Sequence, residues 1–456
     1  MHLRLCFLGA LCLSLLLLPV GSAHATARVG TDLAVTGPVI GWGSNTRGQL
    51  GVNPSTRIAR PVPVNDLGYV IALAAGVDHS LALLRDGTVR AWGANDAGQL
   101  GDGTTLSRGL PVAVDGLTDI VAIAAGGQFS LALRRNGVVF GWGINNLGQV
   151  GTTVPDLCSI RGTVYGCSVL PLPIAGLSTI TALSAGGAHG LALRQDGTVM
   201  AWGDNRFGQV SRAAVDTCPV AVTLVACSAH PVTVIGLGGV TAIAAGMTHS
   251  LALTSDQRVQ AWGNNQSGQS GEGADDTCIV RVDTACALRP VTVPGVEGAI
   301  SIAAGGTHSL VLLQEGHVQA FGYEPELGLG NANPRPHPRA VIVPGLEKAV
   351  VIAVGRAFSI VTTADGGVWA WGIDERGQLG YGLESNDPCQ IPHCYLVPAP
   401  VLTHDLVAVA AGQDFVLAIQ RTTLPGLPNT GAGWLFAASQ GDTDDRSMLP
   451  LHGWLP

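Results

Sequence analysis

The chain is built from two short phrases, and each phrase occurs seven times. The first is an Ala/Gly step followed by an apolar strand, as in AAGVDHSLAL at 74–83 and AAGQDFVLAI at 410–419. The second is a Trp-Gly step that leads into a Gly-Gln turn, as in GWGSNTRGQLG at 41–51. Repeats of 50 to 60 residues indicate stacked or circular supersecondary units that share one continuous core.

Short strands separated by turn signals fill each unit. The dipeptides Asp86-Gly87 and Asp196-Gly197 supply the positive φ angles that tight hairpins require. An extended Pro/Val strand follows the Gly-Gln turn, as at 61–64. Four short strands in a unit of about 50 residues are typical of a propeller blade. The sequence therefore predicts an all-β fold, a single seven-bladed β-propeller with four-stranded blades, over residues 36–420.

The order of the phrases predicts how the ring closes. The repeats begin in mid-unit at 38–42 and end in mid-unit at 414–419. The N-terminal strand is therefore expected to complete the last blade beside the C-terminal hairpin. Such closure removes both free sheet edges, which would otherwise invite aggregation.

The two phrases resemble the repeats of the regulator of chromosome condensation family, over roughly residues 36 to 420. The resemblance implies a seven-bladed propeller, in agreement with the count of the phrases. It also implies several known roles, namely guanine-nucleotide exchange on a small GTPase, nucleosome docking, and inhibition of β-lactamases by secreted forms. The matching residues specify the scaffold, and none of these activities follows from them.

Histidines recur at one position of the first phrase, where a ring of metal ligands is conceivable. In the other units this position holds Phe129, Phe358 and Phe415, and such alternation indicates packing rather than metal binding. The tryptophans of the second phrase, replaced once by Phe321, are expected to lie between blades. The predicted structural core thus comprises His79, His189, His249, His308, Trp42, Trp92, Trp142, Trp202, Trp262 and Trp371.

Cysteines beyond the leader occur only in the longer units. Units of 57 to 60 residues hold one pair each, and units of 50 residues hold none. An even count, close spacing and an exported chain predict four loop-closing disulfides. The pairs are Cys158 with Cys167, Cys218 with Cys227, Cys278 with Cys286, and Cys389 with Cys394.

The same cysteines leave alternatives open. Four thiolates from two neighbouring loops could bind zinc, although spacings of this length are looser than those of zinc fingers. Because each insertion leaves its unit at an equivalent point, all four are expected to project from one face. They form either a recognition surface or armour against proteolysis.

Residues 1–25 are predicted to form a cleaved signal peptide. Arg4 precedes an apolar run from Leu5 to Val20, and Ala23-His24-Ala25 matches a small-x-small cleavage site. An uncleaved membrane anchor is the alternative, but the run is short for a spanning helix. The expected location is therefore secreted or within the cell envelope.

One unit, near 303–342, departs most from the repeat and carries Glu324, Glu326, His317 and His337. Paired carboxylates near a histidine could perform acid/base chemistry, although local drift within one repeat is far commoner.

Beyond the repeats, residues 421–456 are expected to be a poorly ordered tail. Its sorting-like pentapeptide at 427–431 lacks the long apolar segment and basic end of a wall-sorting signal.

The charge composition limits the classes of partner that the chain is expected to bind. Lys and Arg number 24 against 32 Asp and Glu, and the net charge of −8 argues against a nucleic-acid partner. The sequence favours an exported, non-enzymatic, monomeric scaffold without a cofactor, which binds an unidentified protein or cell-surface ligand. The alternatives are a guanine-nucleotide exchange factor and a secreted enzyme inhibitor of the β-lactamase-inhibitor type.

Overall fold

Seven antiparallel sheets lie around a central axis in the computed structural model of the chain. The structure describes residues 37–210, 216–220, 223–274, 276–279, 283–331, 335–382 and 394–421. Four sheets contain four strands and three contain five, with the four common strands in the order expected of a propeller blade, and the single seven-bladed propeller is confirmed. No helix within these ranges is long and apolar enough to cross a membrane.

The blades follow one another along the chain. Blade 1 contains β3 (Val70–Ala75), β4 (His79–Leu84), β5 (Val89–Gly93) and β6 (Arg108–Ala113). Blade 2 contains β7 (Ile120–Ala125), β8 (Phe129–Arg134), β9 (Val139–Ile144), β10 (Asp156–Ile160) and β11 (Thr163–Pro173). Blade 3 contains β12 (Ile180–Ala185), β13 (His189–Arg194), β14 (Val199–Asp204), β15 (Asp216–Val220) and β16 (Thr223–Thr233). Blade 4 contains β17 (Val240–Ala245), β18 (His249–Thr254), β19 (Val259–Asn264), β20 (Asp276–Ile279) and β21 (Asp283–Thr292).

The remaining blades have four strands each. Blade 5 contains β22 (Ala299–Ala304), β23 (His308–Leu313), β24 (Val318–Tyr323) and β25 (Pro336–Ile342), with a 3-10 turn at Glu324–Glu326. Blade 6 contains β26 (Ala349–Val354), β27 (Phe358–Thr363), β28 (Val368–Ile373) and β29 (Cys394–Pro400). Blade 7 combines β30 (Leu406–Ala411) and β31 (Phe415–Gln420) with β1 (Val39–Asn45) and β2 (Ser55–Pro63).

Blade 7 closes the ring as the phrase order predicts. Strand β1 pairs antiparallel with β31, in a register that places Val39 opposite Ile419 and Gly43 opposite Phe415. Strand β2 then covers the outer edge of β1. Both ends of the repeat region are therefore held in one sheet.

The core lies between neighbouring blades. Trp142 of blade 2, for example, packs in one cluster with Leu81 and Leu100 of blade 1. Near the axis the inner strands end in Ala-Gly steps because larger residues do not fit. A Cβ atom on Gly126 would lie 2.1 Å from Cε1 of Phe129. At the opposite end of the strands, Gly87 has a φ of +79°, as the Asp-Gly hairpin signal predicts.

The ring thus has two distinct faces. The tight turns between the second and third strands of blades 1 to 6, such as Asp86-Gly87, define the turn face. The Ala-Gly steps and the ends of the third strands define the other face. We call it the hairpin face, because the three hairpins described below extend from it.

Candidate binding face

The four histidines of the first phrase link neighbouring blades. In each case Nε2 lies 2.8 to 2.9 Å from the Oγ atom of a serine in the next blade. The pairs are His79 with Ser130, His189 with Ser250, His249 with Ser309, and His308 with Ser359. These histidines are fully buried and lie in the inter-blade packing. Within the described ranges, no group of three or more His, Cys, Asp or Glu is placed to hold a metal ion.

Sequence reasoning missed the serines. A signal was available, because the His/Phe position of one unit can be compared with the equivalent position of the next. The partner position is the residue directly after the His/Phe position of the next unit, and it is a serine for all four histidines. For Phe129 and Phe358 the same position holds Gly190 and Val416. Phe415 departs from this correspondence, since the next unit holds Ser80. Ser80 donates its hydrogen bond to the carbonyl oxygen of Gln49.

The tryptophans link the blades in a second way. Each indole Nε1 donates to the main-chain carbonyl at the Gln position of the preceding blade, at 2.8 to 3.0 Å. For Trp371 the acceptor is the carbonyl oxygen of Glu326, which occupies the Gln position in blade 5. All six side chains are fully buried. The Trp-Gly and Gly-Gln parts of the second phrase therefore depend on each other across blade boundaries.

The structure distributes the four candidate acid/base residues over separate sites. Glu324 is buried and contacts Arg335 and, at 3.1 Å, Nε2 of His337. Burial raises the pKa of Glu324, but hydrogen bonds and charges from Arg335 and His337 outweigh it and lower the pKa overall. His317 lies at the other end of β24, on the turn face. Glu324 and His337 thus lie together, whereas Glu326 and His317 lie elsewhere in blade 5.

Glu326 belongs to a series of close contacts that runs between blades 5 and 6. Its Oε2 atom lies 2.9 Å from Nδ1 of His308, and Nε2 of His308 lies 2.8 Å from Oγ of Ser359. The order Glu-His-Ser is that of a hydrolase triad. However, the Ser359 side chain is fully buried, so a substrate cannot reach its hydroxyl. The contacts among Glu326, His308 and Ser359 therefore form a structural link between the two blades in this conformation.

The cysteine insertions form hairpins rather than irregular loops. Disulfides join Cys158 to Cys167, Cys218 to Cys227, and Cys278 to Cys286. In each hairpin the first strand, β10, β15 or β20, adds a fifth strand to the blade, which the sequence did not predict. Because these six cysteines are joined in disulfides, they have no thiolate with which to bind zinc. Cys394 is also disulfide-bonded, and its predicted partner Cys389 lies outside the described residues.

An aspartate two residues before the first cysteine anchors each hairpin. Its Oδ2 atom accepts a hydrogen bond from the main-chain N–H of the residue two positions after the second cysteine. These bonds run to Asp156 from Val169 at 3.2 Å, to Asp216 from Ala229 at 3.2 Å, and to Asp276 from Leu288 at 2.9 Å. The disulfide and this aspartate both join the two strands of the hairpin, and the longer strand continues into the blade, as β11 does where Cys167 pairs with Ile144.

All three hairpins extend past the ends of the third strands, on the same face of the ring. Cys167 pairs with Ile144 at the end of β9, and the equivalent pairs in blades 3 and 4 have the same register. On the side of the hairpins opposite the disulfides, apolar side chains are exposed. Leu157 is 76% exposed, Val164 60% and Leu224 70%.

The central axis offers little room for a ligand. A cavity of about 40 Å³ lies where the seven Ala-Gly steps converge. This volume is too small for anything beyond a few water molecules. Val77 and Gln413 line it, and Asp78 and Asp414 follow these two residues in the sequence. Burial and the neighbouring Asp414 carboxylate raise the pKa of Asp78.

Known proteins match both the repeats and the ring. The model of the RCC1-like domain matches residues 165–418, and that of the regulator of chromosome condensation (RCC1) repeat matches 36–83, 86–133 and 136–193. The E3 ubiquitin-protein ligase HERC2 of Homo sapiens is 34% identical over 164 residues, which cover 35% of this chain and 3% of HERC2. The guanine nucleotide exchange factor SRM1 of Saccharomyces cerevisiae is 34% identical over 153 residues, which cover 33% of this chain and 29% of SRM1.

Solved structures agree on the fold. Prp20p from Saccharomyces cerevisiae superimposes with a TM-score of 0.70 at 24% identity, over 88% of this chain and 94% of that one. Human WBSCR16 gives the same TM-score at 23% identity, over 85% and 100% of the two chains. Identities at this level establish the propeller alone. The curated relatives are matched over small parts of their length, so their activities are not thereby transferred.

Proposed function

Because the chain belongs to the family of regulator of chromosome condensation (RCC1) repeat proteins, we propose that it is a binding protein built on this propeller. In this proposal the chain acts outside the cytoplasm, catalyses no reaction and presents the hairpin face to a protein ligand. The three disulfide-closed hairpins on one face are the observation that carries the proposal. The rest of the ring supplies a stiff support for them.

The pre-organised hairpins support a role in recognition over simple protection against proteolysis. A binding loop that is already ordered loses less conformational entropy when a partner docks. Each hairpin is held at three levels, by its strand pairing, its disulfide and its anchoring aspartate. Protection against proteolysis would need the strand pairing and the disulfide but not this third contact.

The chemistry of the hairpins also suits a protein partner. Leu157, Val164 and Leu224 expose apolar surface on two adjacent blades, with polar hairpin residues around them. Protein interfaces commonly have an apolar centre and a polar rim. Exposed apolar side chains on ordered elements commonly mark sites of protein interaction.

The disulfides bear on the compartment. Disulfides persist in oxidising surroundings and are rare in the cytosol. Oxidised cysteines in three successive blades therefore support export, as does the predicted signal peptide at 1–25, which lies outside the described residues. Catalysis of nucleotide exchange on a cytosolic GTPase would require the chain to act in a reducing compartment.

Nucleotide exchange is the second candidate, and the similarity to SRM1 over 153 residues favours it. The two candidates separate cleanly in solution. Mature protein that accelerates release of a labelled guanine nucleotide from a small GTPase would favour exchange, whereas an inactive protein that binds an envelope ligand would favour the scaffold.

The binding proposal is tested by capture with matched surface variants. The baits are residues 26–456, the same chain with Leu157→Ser, Val164→Ser and Leu224→Ser, and a control with Tyr69→Ser, Ile235→Ser and Leu402→Ser. The control residues are equally exposed but lie on the turn face. Proteins captured from envelope and culture fractions are then purified and their affinities measured.

We expect the hairpin variant to weaken binding of the purified partner by at least about tenfold, with the turn-face control unchanged. Equal binding by all three chains, or loss in the control alone, would place the ligand elsewhere and reject the proposal. Thermal unfolding of the three chains establishes that each is folded.

A further inference from the structure

A cavity of about 640 Å³ lies on the hairpin face, between the tip of the first hairpin and the mouth of the central axis. Its volume is within the range of small-molecule pockets, about 300 to 1,000 Å³. Ser159, Ile160 and Arg161 of the hairpin tip form one side. The opposite side is formed by residues of blades 1, 2 and 7, among them Asp78, Gln128 and Gln413. The hairpin thus converts an open rim into a bounded site.

Two of the four charged residues that line the cavity are already paired. Arg47 forms an ion pair with Asp96, and both line the cavity. Next to it, Arg356 lies 3.4 Å from Asp414. Two lining charges of opposite sign remain without an ion pair to any described residue, the Asp78 carboxylate and the Arg161 guanidinium.

Asp78 is held in place on the blade side of the cavity. Its Oδ1 atom accepts a hydrogen bond from Nε2 of Gln49 at 3.0 Å, and Gln49 is fully buried. An amide stabilises a carboxylate less than a cation does. The carboxylate therefore keeps capacity for a cationic group that enters the cavity.

Arg161 lies on the hairpin side, where its side chain is exposed and its main chain forms an ordered turn. It has a φ of +52° and is followed by Gly162 at +80°, so the two residues form the tight turn that joins β10 to β11. The disulfide between Cys158 and Cys167 closes the same hairpin. Arg161 and Asp78 thus line the cavity from two ordered elements, close enough for Arg161 to favour the Asp78 carboxylate electrostatically but without an ion pair between them.

We propose that this cavity binds a small zwitterion, with an ammonium group at Asp78 and a carboxylate at Arg161. Free amino acids and short peptides share this chemistry. A purely cationic or purely anionic ligand would leave one of the two protein charges unpaired, whereas a zwitterion satisfies both. The side-chain amides of Gln128 and Gln413 can bond to peptide groups between the two ends. The volume favours a peptide of a few residues over a single amino acid.

Calorimetric titration of the purified full chain tests the proposal with defined probes. The probes are L-leucine, triglycine, N-acetyl-triglycine, which lacks the ammonium group, and triglycine methyl ester, which lacks the carboxylate. We expect triglycine to bind at least about tenfold more tightly than either blocked analogue. Tighter binding of L-leucine than of triglycine would identify free amino acids as the source of the ligand.

Variants of Asp78 and Arg161 test which protein charge binds which end of the zwitterion. Asp78→Asn and Arg161→Gln should each weaken triglycine binding by at least about tenfold. In the Arg161→Gln chain, triglycine and its methyl ester should bind equally, because the carboxylate has lost its partner. Glu315→Gln and Arg135→Gln, exposed on the turn face, are the matched controls and should leave binding unchanged.

Absence of binding by any probe at about 10 mM, or equal affinity for triglycine and its blocked forms, would overturn the proposal. The result is independent of the proposed protein-binding function, because it requires no partner protein. A chain that binds zwitterions but captures no protein would reject the earlier proposal alone, and the reverse would reject this one alone.

Discussion

The Nε2 atom of His79 lies 2.9 Å from Oγ of Ser130, across the boundary between blades 1 and 2. Ser130 itself donates to the main-chain carbonyl of Gln99 at 2.9 Å. The serine hydroxyl has one proton to donate, so His79 must supply the proton between Nε2 and Oγ. His79 is therefore a neutral imidazole protonated on Nε2, and its burial makes the cationic form unfavourable.

Acid should destabilise the ring through these histidines. Burial lowers the pKa of His79 from 6.5 to about 3 and that of His189 to about 4. Below pH 6.5 the unfolded chain binds protons that the folded chain does not, so stability falls as the pH falls. Each of the two histidines should contribute a loss of about 1.4 kcal/mol per pH unit down to about pH 4. Denaturant unfolding at several pH values between 7 and 4 measures the slope.

Replacing His79 by Phe should make this pH dependence shallower. Phe already occupies the equivalent position in three blades, so the side chain fits the fold. We expect a loss of about 1 kcal/mol at pH 7 from the missing hydrogen bond, and a slope reduced by about 1.4 kcal/mol per pH unit. The control is His230→Phe at an exposed site. An unchanged slope in the His79 variant would contradict the assignment.

Trp202→Phe should weaken the contact between blades 2 and 3. The change removes the hydrogen bond from Nε1 to the carbonyl oxygen of Gln149, at 3.0 Å, and leaves a small cavity. We expect a loss of about 1–3 kcal/mol in the free energy of unfolding. Phe321 shows that the fold tolerates the smaller ring. Trp369→Phe, at a half-buried site, should cost less, and a larger loss there would argue against the inter-blade role.

Removing one disulfide should loosen its hairpin and leave the ring intact. In the chain-entropy description, closing so short a loop contributes about 2–3 kcal/mol. For Cys158→Ser with Cys167→Ser, we expect faster amide hydrogen exchange at 159–165 and little change in the exchange of β7 to β9. The second hairpin, with its disulfide intact, is the internal control. Loss of protection throughout blade 2 would show that the disulfide also supports the blade.

Glu324→Gln should reveal the stabilising effect of the buried carboxylate. The pKa of Glu324 is lowered in the folded chain, so the carboxylate stabilises the fold above the ordinary Glu value of 4.5, and this effect is lost as the pH falls through the lowered pKa. The variant should be less stable than the parent at pH 7, and the difference should shrink in acid. Unfolding curves at pH 7 and pH 4 test this, with Glu315→Gln as the exposed control.

The sequence predicted those features that depend on local pattern. Seven paired phrases determine the blade number, and the mid-unit ends determine the closing pair of Val39 with Ile419. Dipeptides such as Asp196-Gly197 determine the turns, and the close spacing of Cys158 and Cys167 determines the disulfide.

The individual partners across blade boundaries escaped prediction because they lie about one repeat apart in the sequence. Nothing near His79 in the chain points to Ser130, and nothing near Asp78 points to the hairpin tip at Arg161. The fifth strands were missed for a different reason. Asp156 and Thr163 begin strands whose pairing is set by the disulfide and by a two-residue turn at Arg161-Gly162, without a Gly-rich or Asn-Gly signal.

The seam in blade 7 also sets an order of events during biogenesis. Strands β1 and β2 leave the ribosome first but cannot find β31 until nearly the whole repeat region has been made. Contacts between such distant parts of a chain form slowly, and unpaired strands that wait for them invite misassembly. Blades 1 to 6 can each form from consecutive residues in the meantime. Closing the circle is therefore expected to be the late, slow step, and the stage at which a chaperone would matter most.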